Sequence, residues 1–114
     1  MTLNLLEFKL LKLPLLIGLA VTALAQSAAA ADVSVIQKDQ AFSQPSITIQ
    51  PGDTVMWGNA DDVDHNITVK GGDVATDFGV QKPGHVIKRL FDATGAYRVI
   101  CHIHPKMKMT VIVQ

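Results

Sequence analysis

The chain has 114 residues, with ten basic and ten acidic side chains and a formal net charge of zero at neutral pH. This length suits one domain, and the balanced charge excludes the strongly basic surface of a typical nucleic-acid-binding domain. The only cysteine is Cys101, which excludes an internal disulfide. Its thiol is therefore a buried side chain, a reactive group or a metal ligand.

The first 30 residues differ from the rest of the chain. Lys9 and Lys12 precede an apolar run that begins at Leu13 and ends at Leu24, and three alanines follow at 28–30. A basic start, an apolar segment and a small-residue end are typical of a secretory signal peptide. The apolar run is shorter than the ~20 residues that span a bilayer. We therefore expect residues 1–30 to be a cleaved leader, and residues 31–114 to be one exported domain without stable membrane insertion.

The expected mature domain has the residue pattern of a β protein. Val, Ile and Thr are frequent, and the segment 46–50 alternates polar and apolar residues, which predicts a strand with one buried face. Pro51-Gly52-Asp53 predicts a turn. Six or seven short strands are expected, at 33–37, 46–50, 54–57, 65–69, 85–91, 97–101 and 110–113, and the segment 73–84 is the least regular. This spacing favours a sandwich or barrel, and an immunoglobulin-like binding domain stays open as an alternative.

The segment 101–109 concentrates metal-binding side chains between two predicted strands. It contains Cys101, His102, His104, Met107 and Met109. Thiolate and thioether ligands suit Cu(I), imidazole suits both copper states, and a His₂Cys site with a long axial Met is an electron-transfer arrangement. One loop can supply Cys, one His and Met, whereas the second His must come from elsewhere. His65, which follows an Asp-rich loop, is the leading candidate.

Two stretches resemble the cupredoxins, and within them the plastocyanin and amicyanin group. The first begins at Gly52-Asp53-Thr54-Val55-Met56-Trp57 and ends at His65-Asn66. The second begins at Gly95-Ala96-Tyr97 and continues through Cys101, His104-Pro105 and Met107 to Val111-Ile112-Val113. The compact Cys-x-x-His-Pro-x-Met loop looks most like that of amicyanin.

The resemblance implies an all-β Greek-key sandwich of about six to eight strands with one copper ion. His65 and His104 would be ligands through imidazole nitrogen, Cys101 through thiolate, and Met107 as the weak axial ligand. The implied function is electron transfer by Cu(II)/Cu(I) cycling in the periplasm rather than enzymatic catalysis. Electrons would pass through His104 at the surface of a monomer. By analogy with amicyanin, the redox partners would be a dehydrogenase and a c-type cytochrome.

Two positions depart from the family pattern. His102 stands where the family often has the Ser or Thr that hydrogen-bonds the Asn after the first ligand, here Asn66. Met109 stands where a Gly is common and could compete with Met107 as axial ligand, but alternation along the last strand would put it on one face with Val111 and Val113, which favours a core role. His85 is expected to lie at the surface, away from the metal.

Other functions remain open at this stage. A copper carrier or storage protein could use the same residues, although these donors make only one site. A Cys–His nucleophilic enzyme is disfavoured, because Cys101 and His104 on one tight loop do not provide a separated base and oxyanion donors. Asp61, Asp62 and Asp64 are either a docking patch for a partner or a solvated turn.

Overall fold

The computed structural model describes residues 18–24 and 28–114. The secondary structure of this part of the chain consists of strands and turns, with no helix. None of the described residues therefore forms a helix long and apolar enough to cross a membrane. Most of the expected leader lies outside the described residues.

Nine strands form within the described residues: β1 (Asp32–Lys38), β2 (Ala41–Phe42), β3 (Ser46–Ile49), β4 (Asp53–Asn59), β5 (His65–Gly71), β6 (Val74–Gln81), β7 (Val86–Phe91), β8 (Gly95–Ile100) and β9 (Lys108–Val113). They make a four-stranded sheet in the order β2-β1-β4-β7 and a five-stranded sheet in the order β3-β9-β8-β5-β6. The pairs β1–β4 and β3–β9 are parallel, and the other pairs are antiparallel. The expected all-β sandwich is confirmed.

The core lies between the two sheets, where period-two alternation places one face of β3, β4 and β9. In β4 every second residue from Asp53 to Asn59 is buried, and Trp57 is fully buried. The Trp57 ring meets Phe91 of β7 edge-on, with the ring centroids 6.3 Å apart. Removing such an aromatic side chain from a core costs about 3–5 kcal/mol. Trp57 therefore anchors the four-stranded sheet to the core.

Two strands were not expected from the sequence. β2 is only two residues long and pairs with β1 across a turn in which Asp39 and Gln40 have left-handed backbone angles, with φ of 52° and 55°. β6 occupies the segment predicted to be least regular. It is an edge strand in which only Gln81 is buried, so it lacks the apolar alternation by which a half-buried strand is recognised.

The strand order brings the predicted ligands to one end of the sandwich. β5 begins at His65 and pairs with β8, which ends at Ile100, directly before Cys101. β8 in turn pairs with β9, which begins at Lys108. The loop 101–107 therefore connects two neighbouring strands beside the start of β5, and the framework on both sides of the predicted site is hydrogen-bonded sheet.

Candidate metal centre

His65, Cys101 and His104 converge at this end of the sandwich. One ligand atom of each lies within 4.8 Å of the corresponding atom of the other two. The Nδ1 atoms of the two imidazoles are 3.1 Å apart. His65 and Cys101 are fully buried, whereas His104 is half-buried. His65, which lies far from the loop 101–107 in the sequence, thus joins Cys101 and His104 of that loop.

The loop 101–107 is tied into a compact form by its own backbone. The Cys101 N–H donates to the carbonyl of Met107 at 3.1 Å, and the Met107 N–H donates to the carbonyl of His104 at 2.8 Å. These bonds hold Met107 at the base of the loop, where its side chain is 2% exposed. Met109 instead belongs to the core cluster, where its sulfur lies 3.5 Å from Nε1 of Trp57.

Asp61 fixes the orientation of the His65 ring. Its Oδ2 lies 2.7 Å from His65 Nε2, and because a carboxylate only accepts hydrogen bonds, the ring proton is on Nε2. In the neutral ring Nδ1 then carries the lone pair, and it faces Nδ1 of His104 at 3.1 Å. A carboxylate on the far nitrogen of a ligating histidine sets the tautomer and raises the basicity of the ligand. Burial raises the pKa of Asp61, but hydrogen bonds from Gln40, His65 and Asp39 outweigh this, and the pKa lies below its usual value.

Asn66 supports the thiol. Its backbone N–H donates to Cys101 Sγ at 3.3 Å, and its side chain is held by four hydrogen bonds of its own. The replacement of Ser or Thr by His102 does not free Asn66, because the backbone N–H of His102 donates to Asn66 Oδ1 at 3.2 Å. The hydroxyl of Thr68 donates to the same oxygen at 2.9 Å.

Comparison with known proteins identifies this arrangement. The family model of copper binding proteins, plastocyanin/azurin family, matches residues 29–114. The chain belongs to this family. It is 33% identical to amicyanin-alpha of Methylorubrum extorquens over 94 residues, which cover 78% of this chain and 77% of that protein. It is also 33% identical to the methylamine utilization protein MauL of Methylophilus methylotrophus over 78 residues, which cover 66% of this chain and 45% of that protein.

A solved structure shares the fold. The crystal structure of amicyanin from Paracoccus versutus superposes with a TM-score of 0.68 at 30% identity, covering 79% of this chain and 87% of that one. This cupredoxin is therefore an amicyanin-like, type 1 copper electron-transfer protein, and copper is its cofactor.

The donor set fits copper on chemical and geometric grounds. Two imidazole nitrogens 3.1 Å apart can both reach one ion at the usual metal–nitrogen distance of about 2 Å. Thiolate with two imidazoles is the equatorial set of electron-transfer copper sites. The orienting carboxylate on His65 and the N–H donor on Cys101 are the supporting contacts that such ligands require.

The remaining candidates lie outside this cluster. His85 is exposed in the turn before β7, and His102 is exposed on the loop, so neither imidazole belongs to the group of converging donors. The contact of the Asp61 carboxylate with His65 was not predicted from the sequence, and neither was the contact of Asp77 with Asn66. No local pattern marks either residue, because both contacts depend on how loops and strands pack in the folded protein.

Proposed function

We propose that this cupredoxin carries single electrons through one copper ion held by His65, Cys101, His104 and, as axial ligand, Met107. The convergence of the three donors within 4.8 Å carries the proposal. The position of Met107 at the base of the ligand loop supports the axial assignment, as does the packing of Met109 against Trp57.

The bound ion supplies a centre that changes between Cu(II) and Cu(I), and the protein transforms no substrate. The chain holds the donors in one arrangement for both states. Asp61 fixes the His65 ring, Asn66 fixes Cys101, and the loop backbone fixes Met107. Because His65 and Cys101 are fully buried, water is excluded from two of the donors. A rigid, dry site keeps the rearrangement on electron transfer small.

His104 is the point at which electrons enter and leave. It is the only one of the three converging donors that is not fully buried. It lies beside exposed Ile103, Pro105 and Lys106, with which it lines one shallow surface groove. A redox partner seated on this groove comes within contact of a ligand ring, which gives the shortest route to the metal.

The proposed setting is the periplasm, after removal of residues 1–30. Ala31 N lies 2.9 Å from Oδ1 of Asp53, so cleavage after Ala30 would leave an ammonium group beside a carboxylate. The mature monomer would exchange electrons with redox proteins. The name of the relative MauL supports a role in methylamine utilization, for which we propose an amine dehydrogenase as donor and a c-type cytochrome as acceptor. Mass spectrometry of the exported protein tests the cleavage site, and reduction by a purified dehydrogenase tests the donor.

The first experiment is the visible absorption spectrum of residues 31–114 after addition of Cu(II), compared with that of Cys101→Ala. We expect an intense thiolate-to-copper band that bleaches on reduction, returns on oxidation and is absent from the variant. Tight Cu(I) binding without such a band would instead support the copper-carrier alternative. A protein that binds no copper would exclude both.

A further inference from the structure

The side chain of Asn66 is buried, and every hydrogen-bonding position on it is used. Nδ2 donates to Asp77 Oδ1 at 2.7 Å and to the carbonyl of Gly79 at 2.9 Å, while Oδ1 accepts from Thr68 and from the backbone of His102. Asp77 only accepts and the His102 amide only donates, so a flipped amide would lose these bonds. The side chain therefore has a single orientation, and the backbone N–H of Asn66 is aimed at Cys101 Sγ.

A β-bulge in β6 brings Asp77 to this position. The β5–β6 register passes from Asn66 opposite Val80 to Thr68 opposite Asp77, which leaves one extra residue on β6. Gly79 within the bulge has φ of +80°, a left-handed conformation that glycine adopts without strain. Its N–H donates to Asp77 Oδ1 at 2.8 Å, so the same oxygen that binds Asn66 is fixed by the bulge.

We infer that Asp77 and Thr68 are positioning residues that set the hydrogen bond from Asn66 to the Cys101 sulfur and thereby tune the copper centre. They support Asn66 where the family often uses the side chain after the cysteine, which here is His102. The inference rests on the proposed copper site, because the tuning acts on the thiolate ligand. Hydrogen bonds to the cysteine sulfur are one of the factors that set the potential of such centres.

The sign of the effect follows from where the electron density resides. Reduction puts more negative charge on the thiolate, and an N–H donor to sulfur therefore stabilises the reduced state. Loss of the support from Asp77 should weaken this bond and lower the reduction potential. Loss of the negative charge of Asp77 should raise it. Asp77→Asn removes the charge but keeps an accepting oxygen, whereas Asp77→Ala removes both.

The test compares these two variants of residues 31–114. We expect Asp77→Ala to favour the oxidised state at least about threefold relative to Asp77→Asn, which is about 28 mV at 59 mV per tenfold change. Asp73→Asn, an exposed turn residue, is the control for loss of one negative charge. Thr68→Val should lower the potential, and Thr68→Ser, which restores the hydroxyl, should recover it.

A second readout requires no copper. In the metal-free protein, amide hydrogen exchange at Asn66 should be at least about tenfold faster in Asp77→Ala than in Asp77→Asn, with the Val69 amide of the same strand unchanged. Equal exchange and equal potentials in the two variants would overturn the inference. Absence of the thiolate-to-copper band in the unmodified protein would instead overturn the proposed function, and the exchange data would still decide whether Asp77 holds Asn66.

Discussion

The indole N–H of Trp57 points at the sulfur of Met109, with Nε1 and Sδ 3.5 Å apart. Both side chains are buried in the core cluster between the sheets. This contact gives Met109 a structural role, whereas Met107, two residues earlier, lies on the ligand loop. The two methionines therefore have separable effects.

Replacing each methionine by leucine should distinguish the axial ligand from the core residue. Met107→Leu removes an electron-pair donor. Although a thioether suits Cu(I), a weak axial donor still interacts more strongly with the more highly charged Cu(II), so the potential should rise by on the order of 59 mV, a tenfold change in the one-electron equilibrium. The free energy of unfolding of the metal-free protein should change little. Voltammetry and denaturant unfolding measure the two quantities.

Met109→Leu is the matched variant. It should leave the copper band and the potential unchanged, lower the free energy of unfolding by less than about 1.5 kcal/mol, and alter Trp57 fluorescence through loss of the sulfur contact. A shift of the copper band in Met109→Leu but not in Met107→Leu would reverse the axial assignment.

The sequence could predict those parts of the site that are close together along the chain. The spacing of Cys101, His104 and Met107 places three proposed ligands on one loop, and the alternation at 46–50 predicted β3 directly. The contacts of Asn66 could not be predicted, because they require the register of β5 against β6 and a bulge centred on Gly79. Edge strand β6 could not be recognised either, because Gln81 is its only buried residue and Phe78 is its only side chain that packs against the core cluster.

The contacts of Asp61 also could not be predicted from the residues that surround it in the sequence. It follows Asn59 and Ala60 in a polar loop, and from sequence alone it resembles its neighbour Asp62. In the folded chain its two carboxylate oxygens accept the backbone N–H groups of Asp39 and Gln40 at 2.6 and 3.0 Å. Those residues have left-handed backbone angles, which cost non-glycine residues roughly 1–2 kcal/mol each. Asp61 thus stabilises a strained turn and orients His65 at once.

Asp61→Ala should lower the copper affinity by about 10–100-fold, the usual effect of removing a group that orients a ligating histidine. The reason is that the His65 ring loses its tautomer control and the adjacent turn loses two acceptors. Competition with a Cu(I) chelator measures the affinity. Asp62→Ala, at an exposed neighbouring position, is the control, and equal affinities in the two variants would show that the contact with His65 has no influence on copper.

Lys106 should favour reaction with anionic rather than cationic redox partners at the surface beside His104. It is exposed beside His104, and none of the ion pairs among the described residues involves it. Lys106→Glu should slow oxidation by anionic hexacyanoferrate(III) several-fold and accelerate oxidation by cationic tris(phenanthroline)cobalt(III). Stopped-flow absorbance of the copper band measures both rates.

The effect of Lys106 should also depend on salt. The difference from the unmodified protein should shrink as ionic strength rises, because the screening length is about 10 Å at 0.1 M. Lys70→Glu makes the same charge change five residues along β5 from His65, a separation of roughly 16 Å at 3.3 Å per residue. If Lys70→Glu changes the rates as much as Lys106→Glu does, electrons do not leave beside Lys106.

Asp53 joins Ala31, directly before β1, to the turn before β4. Its Oδ1 accepts from the Ala31 N–H and its Oδ2 from the Gln50 N–H, each at 2.9 Å. Both bonds lower the pKa of Asp53 below its usual value, and the bond from Ala31 has the larger effect. Burial acts in the opposite direction but is outweighed. A lowered pKa in the folded state means that the carboxylate stabilises the fold above its unfolded pKa of about 3.9, and that this contribution is lost as pH falls through the folded pKa.

Asp53→Asn should therefore destabilise the metal-free domain at pH 7, because one of the two N–H donors then faces an NH₂ group. The difference from the unmodified protein should stay constant down to about pH 5. It should shrink below about pH 4, as the pH falls through the unfolded pKa of the Asp53 carboxyl and then through its lowered folded pKa. Urea unfolding at several pH values measures it. In a chain that begins at Ala31, the terminal ammonium strengthens the contact with Asp53. The substitution should therefore lower the free energy of unfolding at pH 7 more in that chain than in one extended by Ala28-Ala29-Ala30. If the loss of unfolding free energy depends neither on pH nor on the added residues, Asp53 stabilises the fold through packing and not through its charge.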